Sequence, residues 1–175
     1  MKKQKGNLSL FLIIIILTVG VAIYLFVSRG TYAPQNSYTT PSPSPTNVVL
    51  KTFQSKLMKF SIATPAEFDS VENLGRVTIS ASQGKLYVDR NATNFYNLDD
   101  YLIDLNNRNK PEVLNENEEL IDNYQAVSRL IRFGTGEVQK EIIIFADGWI
   151  YNIFTNVESL YSNLDQIAQS FRYAP

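Results

Sequence analysis

Residues 8–27, LSLFLIIIILTVGVAIYLFV, make a run of twenty positions without a charge, broken in apolar character only by Ser9, Thr18 and Gly20. At a rise of about 1.5 Å per residue, a helix of this length is about 30 Å long, the thickness of a bilayer hydrocarbon core. Hydroxyls such as those of Ser9 and Thr18 bond back to the helix backbone, and a single glycine is tolerated in lipid, so none of the three breaks the span. Leu8, Phe11, Ile14, Leu17, Val21, Leu25 and Val27 are its anchor residues. Lys2, Lys3 and Lys5 precede the run, and only Arg29 follows it closely. That asymmetry predicts a basic cytoplasmic N-terminus over 1–7, a transmembrane signal anchor over 8–27 and an extracytoplasmic remainder, so the chain is read as a single-pass protein of the cell membrane. Tyr24 and Tyr32 suit the aromatic belt at the outer interface.

Two other readings compete for the same run. A cleaved signal peptide shares the basic start, but its apolar core usually runs only about 7–15 residues, and the one fair cleavage site here is Ser28-Arg29-Gly30. A prepilin leader is the second rival, since Lys-Gln-Lys-Gly6 before a long apolar helix resembles its processing site and would make the chain a pilin-like structural subunit. Pilins place Phe after that glycine and Glu at the fifth mature position, where this chain has Asn7 and Phe11. The retained anchor fits better than either. Lipidation at cysteine is ruled out because the chain has none.

Residues 28–47 hold four prolines among Ser, Thr, Asn and Gln, with no apolar periodicity. The Pro-Ser-Pro-Ser-Pro core favours extended polyproline II, a semi-rigid linker that holds the folded part away from the membrane. Residues 48–175 are long enough for one domain. All 17 Asp and Glu but only 12 of the 16 Lys and Arg lie in it, and no basic cluster interleaved with aromatics appears, which excludes nucleic acid as a partner. The absence of cysteine removes disulfides and thiolate chemistry. The absence of histidine removes the commonest general base and the usual zinc or copper ligand.

Within the domain, residues 51–54 and 58–63 alternate in character and predict a hairpin turning at Ser55-Lys56 and ended by Pro65. Residues 77–82 and 85–89 predict a second, turning at Gln83-Gly84. Asn97 is placed to cap a helix over 98–109, with Leu98, Leu102 and Leu105 on one stripe, Asp99 and Asp100 in the first turn and Pro111 beyond the end. Four strands follow, over 112–121, 124–133, 138–146 and 149–155, separated by Asp122-Asn123, Gly134-Thr-Gly136 and Asp147-Gly148. Ile142-Ile-Ile-Phe145 is apolar on both alternating faces, as in a central strand covered on two sides. A last helix carries Leu160, Leu164, Ile167, Ala168 and Phe171 at helical spacing, with Ser162 and Asp165 as a capping box. The pattern predicts an α+β sandwich: an antiparallel sheet of about six to seven strands flanked by two helices.

These residues carry a resemblance. Phe60-Ser-Ile-Ala-Thr-Pro, the helix after Asn97-Leu-Asp-Asp, Ile121-Asp-Asn-Tyr-Gln-Ala, and Gly148-Trp-Ile-Tyr leading to Leu164-Asp-Gln-Ile-Ala-Gln-Ser-Phe-Arg-Tyr resemble the PsbP-like family in order and spacing over residues 53–173. That family includes the extrinsic P subunit of photosystem II and anchored bacterial relatives. The resemblance implies a shared fold and a non-catalytic assembly or stabilising role, not one shared active site. The chain departs from the photosynthetic subunit in having no histidine and an anchor in place of a plastid presequence, which argues against a metal or photosystem role.

Candidate sites are few. Glu112, Glu116, Glu118, Glu119 and Asp122 form the densest acidic run, which reads as a solvated strand more readily than as a calcium site, since no Asp-x-Asp-x-Asp-Gly loop is present. Asp100 and Asp104 share a helix face, where the helix dipole already accounts for acid. Trp149, Tyr151 and Phe154 either line a groove or pack in the core. Trp149, Tyr151, Glu116, Glu118 and Glu119 are the residues named as an interaction surface. Ser128-Arg129 and Lys140-Glu141 offer no nucleophile with a base, so no catalytic, metal or cofactor site is assigned. The expected function is a membrane-anchored, extracytoplasmic, non-catalytic binding or assembly domain with a protein partner outside the cytoplasm. A carboxylate-based hydrolase is the remaining alternative, and it requires a pair among Asp99, Asp100, Asp104, Glu112, Glu116, Glu118, Glu119, Asp122 and Asp147 to meet in a pocket.

Overall fold

Burial along one strand sets the layers. In the computed structural model, which describes residues 49–175, Ile142, Ile143 and Ile144 are all buried, although neighbours along a strand point to opposite faces. The predicted anchor and linker and the candidate processing site after Gly6 lie outside the described residues. The strands are β1 (Leu50–Ser55), β2 (Phe60–Pro65), β3 (Asp69–Asn73), β4 (Arg76–Ala81), β5 (Gly84–Ala92), β6 (Glu112–Ile121), β7 (Tyr124–Arg132), β8 (Val138–Ala146), β9 (Trp149–Thr155) and β10 (Arg172–Tyr173). The helices are α1 (Leu98–Asn109) and α2 (Tyr161–Gln169), the latter entered through a 3-10 turn over Glu158–Leu160. A seven-stranded antiparallel sheet has the order β3-β4-β5-β9-β8-β7-β6, and a three-stranded one has the order β1-β2-β10.

Ile142 and Ile144 enter the larger core, where Val77, Ile79, Val88 and Ile153 of the main sheet meet Leu164, Ile167 and Ala168 of α2 and Phe60 and Ile62 of the small sheet. Ile143 enters a smaller core on the other face with Leu98 and Leu102 of α1, Val127 and Ile150. The two helices therefore cover opposite faces. The small sheet is fastened by aromatics: Phe60 stacks on Phe171 at 5.6 Å and meets Tyr151 edge-on at 5.7 Å, while the Tyr151 hydroxyl donates to the Met58 carbonyl at 2.7 Å.

Several expectations are corrected. The strands form two sheets instead of one, because β1 and β2 pair with β10, a two-residue strand too short to leave a pattern. β3 was not foreseen: its one apolar residue, Val71, is 64% exposed, so backbone pairing with β4 makes the strand and burial does not. The first hairpin turns over residues 56–59, not at Ser55-Lys56, because Ser55 still pairs with Phe60 and its hydroxyl accepts from the Met58 N–H at 2.8 Å. The second turns at Ser82-Gln83, leaving Gly84 inside β5. Ser162 caps nothing: α2 starts one residue earlier without a side-chain cap, and Asp165 pairs with Lys140 at 2.6 Å.

The cap on α1 is as expected, with Asn97 Oδ1 accepting from the Asp100 N–H at 2.8 Å. Asn97→Ala is expected to lower stability by about 1 kcal/mol and Asn97→Gly by a few tenths, measured as a shift in the urea midpoint at constant slope.

Candidate interaction site at the acidic edge

Among the described residues, β6 closes one side of the seven-stranded sheet and pairs only with β7, so its outer backbone N–H and C=O groups have no strand neighbour there. Register assigns its faces. Glu118 lies opposite Val127, which belongs to the core under α1, and Glu119 lies opposite Ala126, which belongs to the core under α2. Alternation then puts Glu116, Glu118 and Leu120 on the α1 face and Asn115, Asn117 and Glu119 on the other. A bulge at Leu114 breaks the register between Val113 and Asn115. Nearly the whole strand is exposed, Leu120 to 69%.

A cleft of about 280 Å³ opens between the start of α1 and β6–β7. Leu98 and Val127 form its buried floor, Leu120 and Gln125 its wall, and Asp99 and Glu118 its acidic rim. Glu119 also borders it, but its carboxylate lies across the strand, where it accepts from Gln169 Nε2 at 2.6 Å and burial raises its pKa above the usual carboxylate value. The cleft thus presents two acids around an apolar floor.

Further along the same face sits a buried ion pair. Arg129 is 1% and Glu141 3% exposed. Arg129 Nε donates to Glu141 Oε1 at 2.9 Å, its Nη2 donates to the same oxygen, and its Nη1 reaches Asn106 Oδ1 of α1 at 2.9 Å. Glu141 Oε2 accepts from Gln139 at 3.0 Å and Asn152 at 3.2 Å, so both charges are hydrogen-bonded as burial demands. Glu116 lies 3.8 Å from Arg129 and extends the network to the edge strand. Sequence reasoning passed over this pair. The signal was present, since Arg129 and Glu141 occupy inward positions of adjacent strands between buried Val127, Ile131 and Ile143.

The remaining predicted acids are dispersed. Asp100 bonds Asn97, Asp104 pairs with Arg108 at 2.8 Å, Glu112 with Arg132 at 2.8 Å, Asp122 accepts from the Tyr173 N–H and Asp147 from the Tyr173 hydroxyl, both at 2.8 Å. Among the described residues, no group of three or more acids gathers as a metal site. The five residues named as an interaction surface do not form one. Tyr151 is fully buried in the larger core and is no surface residue at all. Trp149 is half-buried beneath the Arg90 guanidinium at 3.9 Å and lies on β9, with β8 and β7 between it and β6. Phe154 stacks on Tyr87 at 5.3 Å on the opposite face from Tyr151, so these aromatics line no common groove.

Burial, together with the bond to the Asp147 carboxylate, pushes the Tyr173 phenol up to about 12. The folded domain therefore holds this proton where the unfolded chain has lost it. The stabilisation is complete below about pH 10, the ordinary tyrosine value, and is lost as pH rises through about 12. Difference absorbance titration is expected to show a late-ionising tyrosine that moves to lower pH in Asp147→Asn.

No protein-family model and no curated protein sequence matches the chain. Among solved structures, the fold is similar to the solution structure of cyanobacterial PsbP (CyanoP) from Synechocystis sp., with a TM-score of 0.51 and 13% identity over 72% of this chain and 93% of that one. The domain has a PsbP-like fold. A protein of unknown function from Pseudomonas aeruginosa, PA94, also matches, with a TM-score of 0.46 and 14% identity over 72% of this chain and 98% of that one. The seven-stranded sheet flanked by two helices is the part of the predicted PsbP-like architecture seen directly, and the small second sheet is added to it.

Proposed function

We propose that the chain is a single-pass membrane protein whose PsbP-like domain lies outside the cytoplasm and acts without catalysis, holding a basic extended segment of a partner protein along β6. The uncharged run 8–27 and its lysine asymmetry support the anchor and its orientation. The observation that carries the binding reading is the edge itself. A ten-residue strand is exposed on both faces over most of its length, lacks a neighbour on one side among the described residues and adjoins a cleft with an apolar floor and the acidic rim of Asp99 and Glu118. Such an edge accepts a strand through its backbone, while side chains on the added strand supply specificity. Carboxylates on the edge favour a lysine- or arginine-bearing strand and repel acidic ones.

A photo-crosslinking residue at Leu120 in the full chain, in its native membrane, is expected to capture one protein whose yield falls as salt rises; the same residue at Lys85 is expected to capture none. Equal capture at both positions would remove the edge as a binding site. Digestion by external protease only once any outer envelope layer is opened, with no cytoplasmic pool, is the expected result for the anchor. A native mass beginning at Asn7 would instead establish pilin-type processing.

A further inference from the structure

Three two-residue hairpin turns lie at the same end of the seven-stranded sheet, and all three place both residues at positive φ. They are Leu74-Gly75 (φ 45° and 82°), Asp122-Asn123 (53° and 64°) and Asp147-Gly148 (50° and 75°). Asn, Asp and Gly tolerate this left-handed conformation and dominate such turns. Leucine does not belong to that group, yet Leu74 occupies the first position and is 96% exposed. Neither backbone preference nor packing within the domain accounts for it. A residue held in an unfavourable conformation without local compensation points to a role beyond the fold.

A second apolar tip stands beside it. Leu57, in the turn at residues 56–59, is 66% exposed. Arg90 joins the two turns: its backbone N–H donates to the Gly75 carbonyl at 3.2 Å and its Nη1 to the Leu57 carbonyl at 3.0 Å. Behind them, the Ser55 hydroxyl donates to Glu72 Oε1 at 2.9 Å, tying β1 to β3. Lys56 and Lys59 flank Leu57, are exposed and form no salt bridge among the described residues. Four acids of this end have partners. Asp89 holds Arg76, Glu72 holds Ser55, Asp122 faces Arg172, and Asp147 holds Tyr173. Asp99 and Glu118 of the cleft rim, beside β6 and across the sheet from β3, form no salt bridge among the described residues.

We propose that Leu57 and Leu74 are a paired membrane-docking tip that enters the headgroup region of an anionic bilayer, with Lys56 and Lys59 over the lipid phosphates. Two convex apolar points flanked by unpaired lysines match the chemistry of a lipid interface, where apolar side chains are buried a few ångströms deep and cations meet anionic headgroups. The proposal rests on the anchored reading, which keeps a bilayer within reach. The chain joins β1 at the end away from the tips, but a linker of twenty residues spans about 60 Å when extended, against about 20 Å for the six residues of β1. The domain therefore has room to turn its tips toward the membrane.

The chain has no cysteine, so one can be introduced for a unique label. A nitroxide at Asn73→Cys, beside the tip, leaves both leucines in place, and one at Gln83→Cys, in the exposed β4–β5 turn at the opposite end of the sheet, serves as the reference. In the full chain reconstituted into phosphatidylglycerol-containing vesicles, the label at position 73 is expected to collide severalfold more with a lipid-soluble relaxant than the label at 83. The difference should vanish in pure phosphatidylcholine and on adding Leu57→Asn with Leu74→Asn. Asparagine suits the turn at position 74, and a thermal melt checks that the variant folds. Equal collision at 73 and 83 in anionic vesicles overturns the proposal. So does shielding of position 73 seen only in native membranes and unaffected by lipid charge, which would assign the tip to a protein pocket. Release of the unlabelled chain by alkaline carbonate would instead refute the anchor, a result read separately from the label.

Discussion

Arg129→Met is expected to destabilise the domain by about 3–5 kcal/mol, the range for removing one partner of a buried ion pair. The Glu141 carboxylate would stay in place with only the amides of Gln139 and Asn152 donating to it. Asn106 would lose its donor, and with it α1 would lose its polar tie to the sheet. The double variant Arg129→Met with Glu141→Leu is expected to recover most of the loss, since replacing both charges by apolar groups of similar volume is often close to neutral. Urea unfolding of the wild type and the two variants gives both numbers. A single-variant cost below about 1 kcal/mol would show that water reaches the pair, as it does at exposed salt bridges.

Phe171→Ala is expected to cost a similar 3–5 kcal/mol, as truncation of a fully buried aromatic generally does. Phe171 stands between the end of α2 and β10, fully buried, with the Tyr151 ring 5.0 Å away and Phe60 stacked on it. Because Phe60 belongs to the small sheet and Tyr151 to the large one, the cavity opens at their junction. Hydrogen exchange is therefore expected to rise first in β1 and β2, while amides of β7 and β8 keep most of their protection. Uniform loss across both sheets would mean that they unfold as one unit.

The parts of the fold legible in the sequence are those made by burial at a regular period. The stripe of Leu98, Leu102 and Leu105, the two-faced run at Ile142 and the last helix follow from side chains that had to be covered. Turns with Asp, Asn and Gly were legible because backbone conformation selects those residues. β3 and β10 were not, since a backbone ladder holds them and almost no apolar side chain marks them. The acidic edge could be read as a solvated strand, but its neighbours could not. Only the pairing order shows that Glu118 stands beside α1 while Trp149 is two strands removed from β6, with β8 and β7 between. Tyr151 illustrates the limit, because an aromatic in a strand looks the same whether it faces solvent or core.

The small sheet has a consequence for the order in which the chain becomes secure. β2 pairs with Arg172 and Tyr173, and the Ala63 N–H is held by the Ser170 hydroxyl 107 residues away. The β1–β2 hairpin thus waits for residues made more than a hundred positions later before its open side is closed. Until then β2 is an unpaired edge, and contacts so distant in sequence form slowly because the intervening chain must first be ordered. A chain cut short by five residues would keep both helices and the seven-stranded sheet yet leave that edge permanently open, ready to recruit another chain's strand in place of its own.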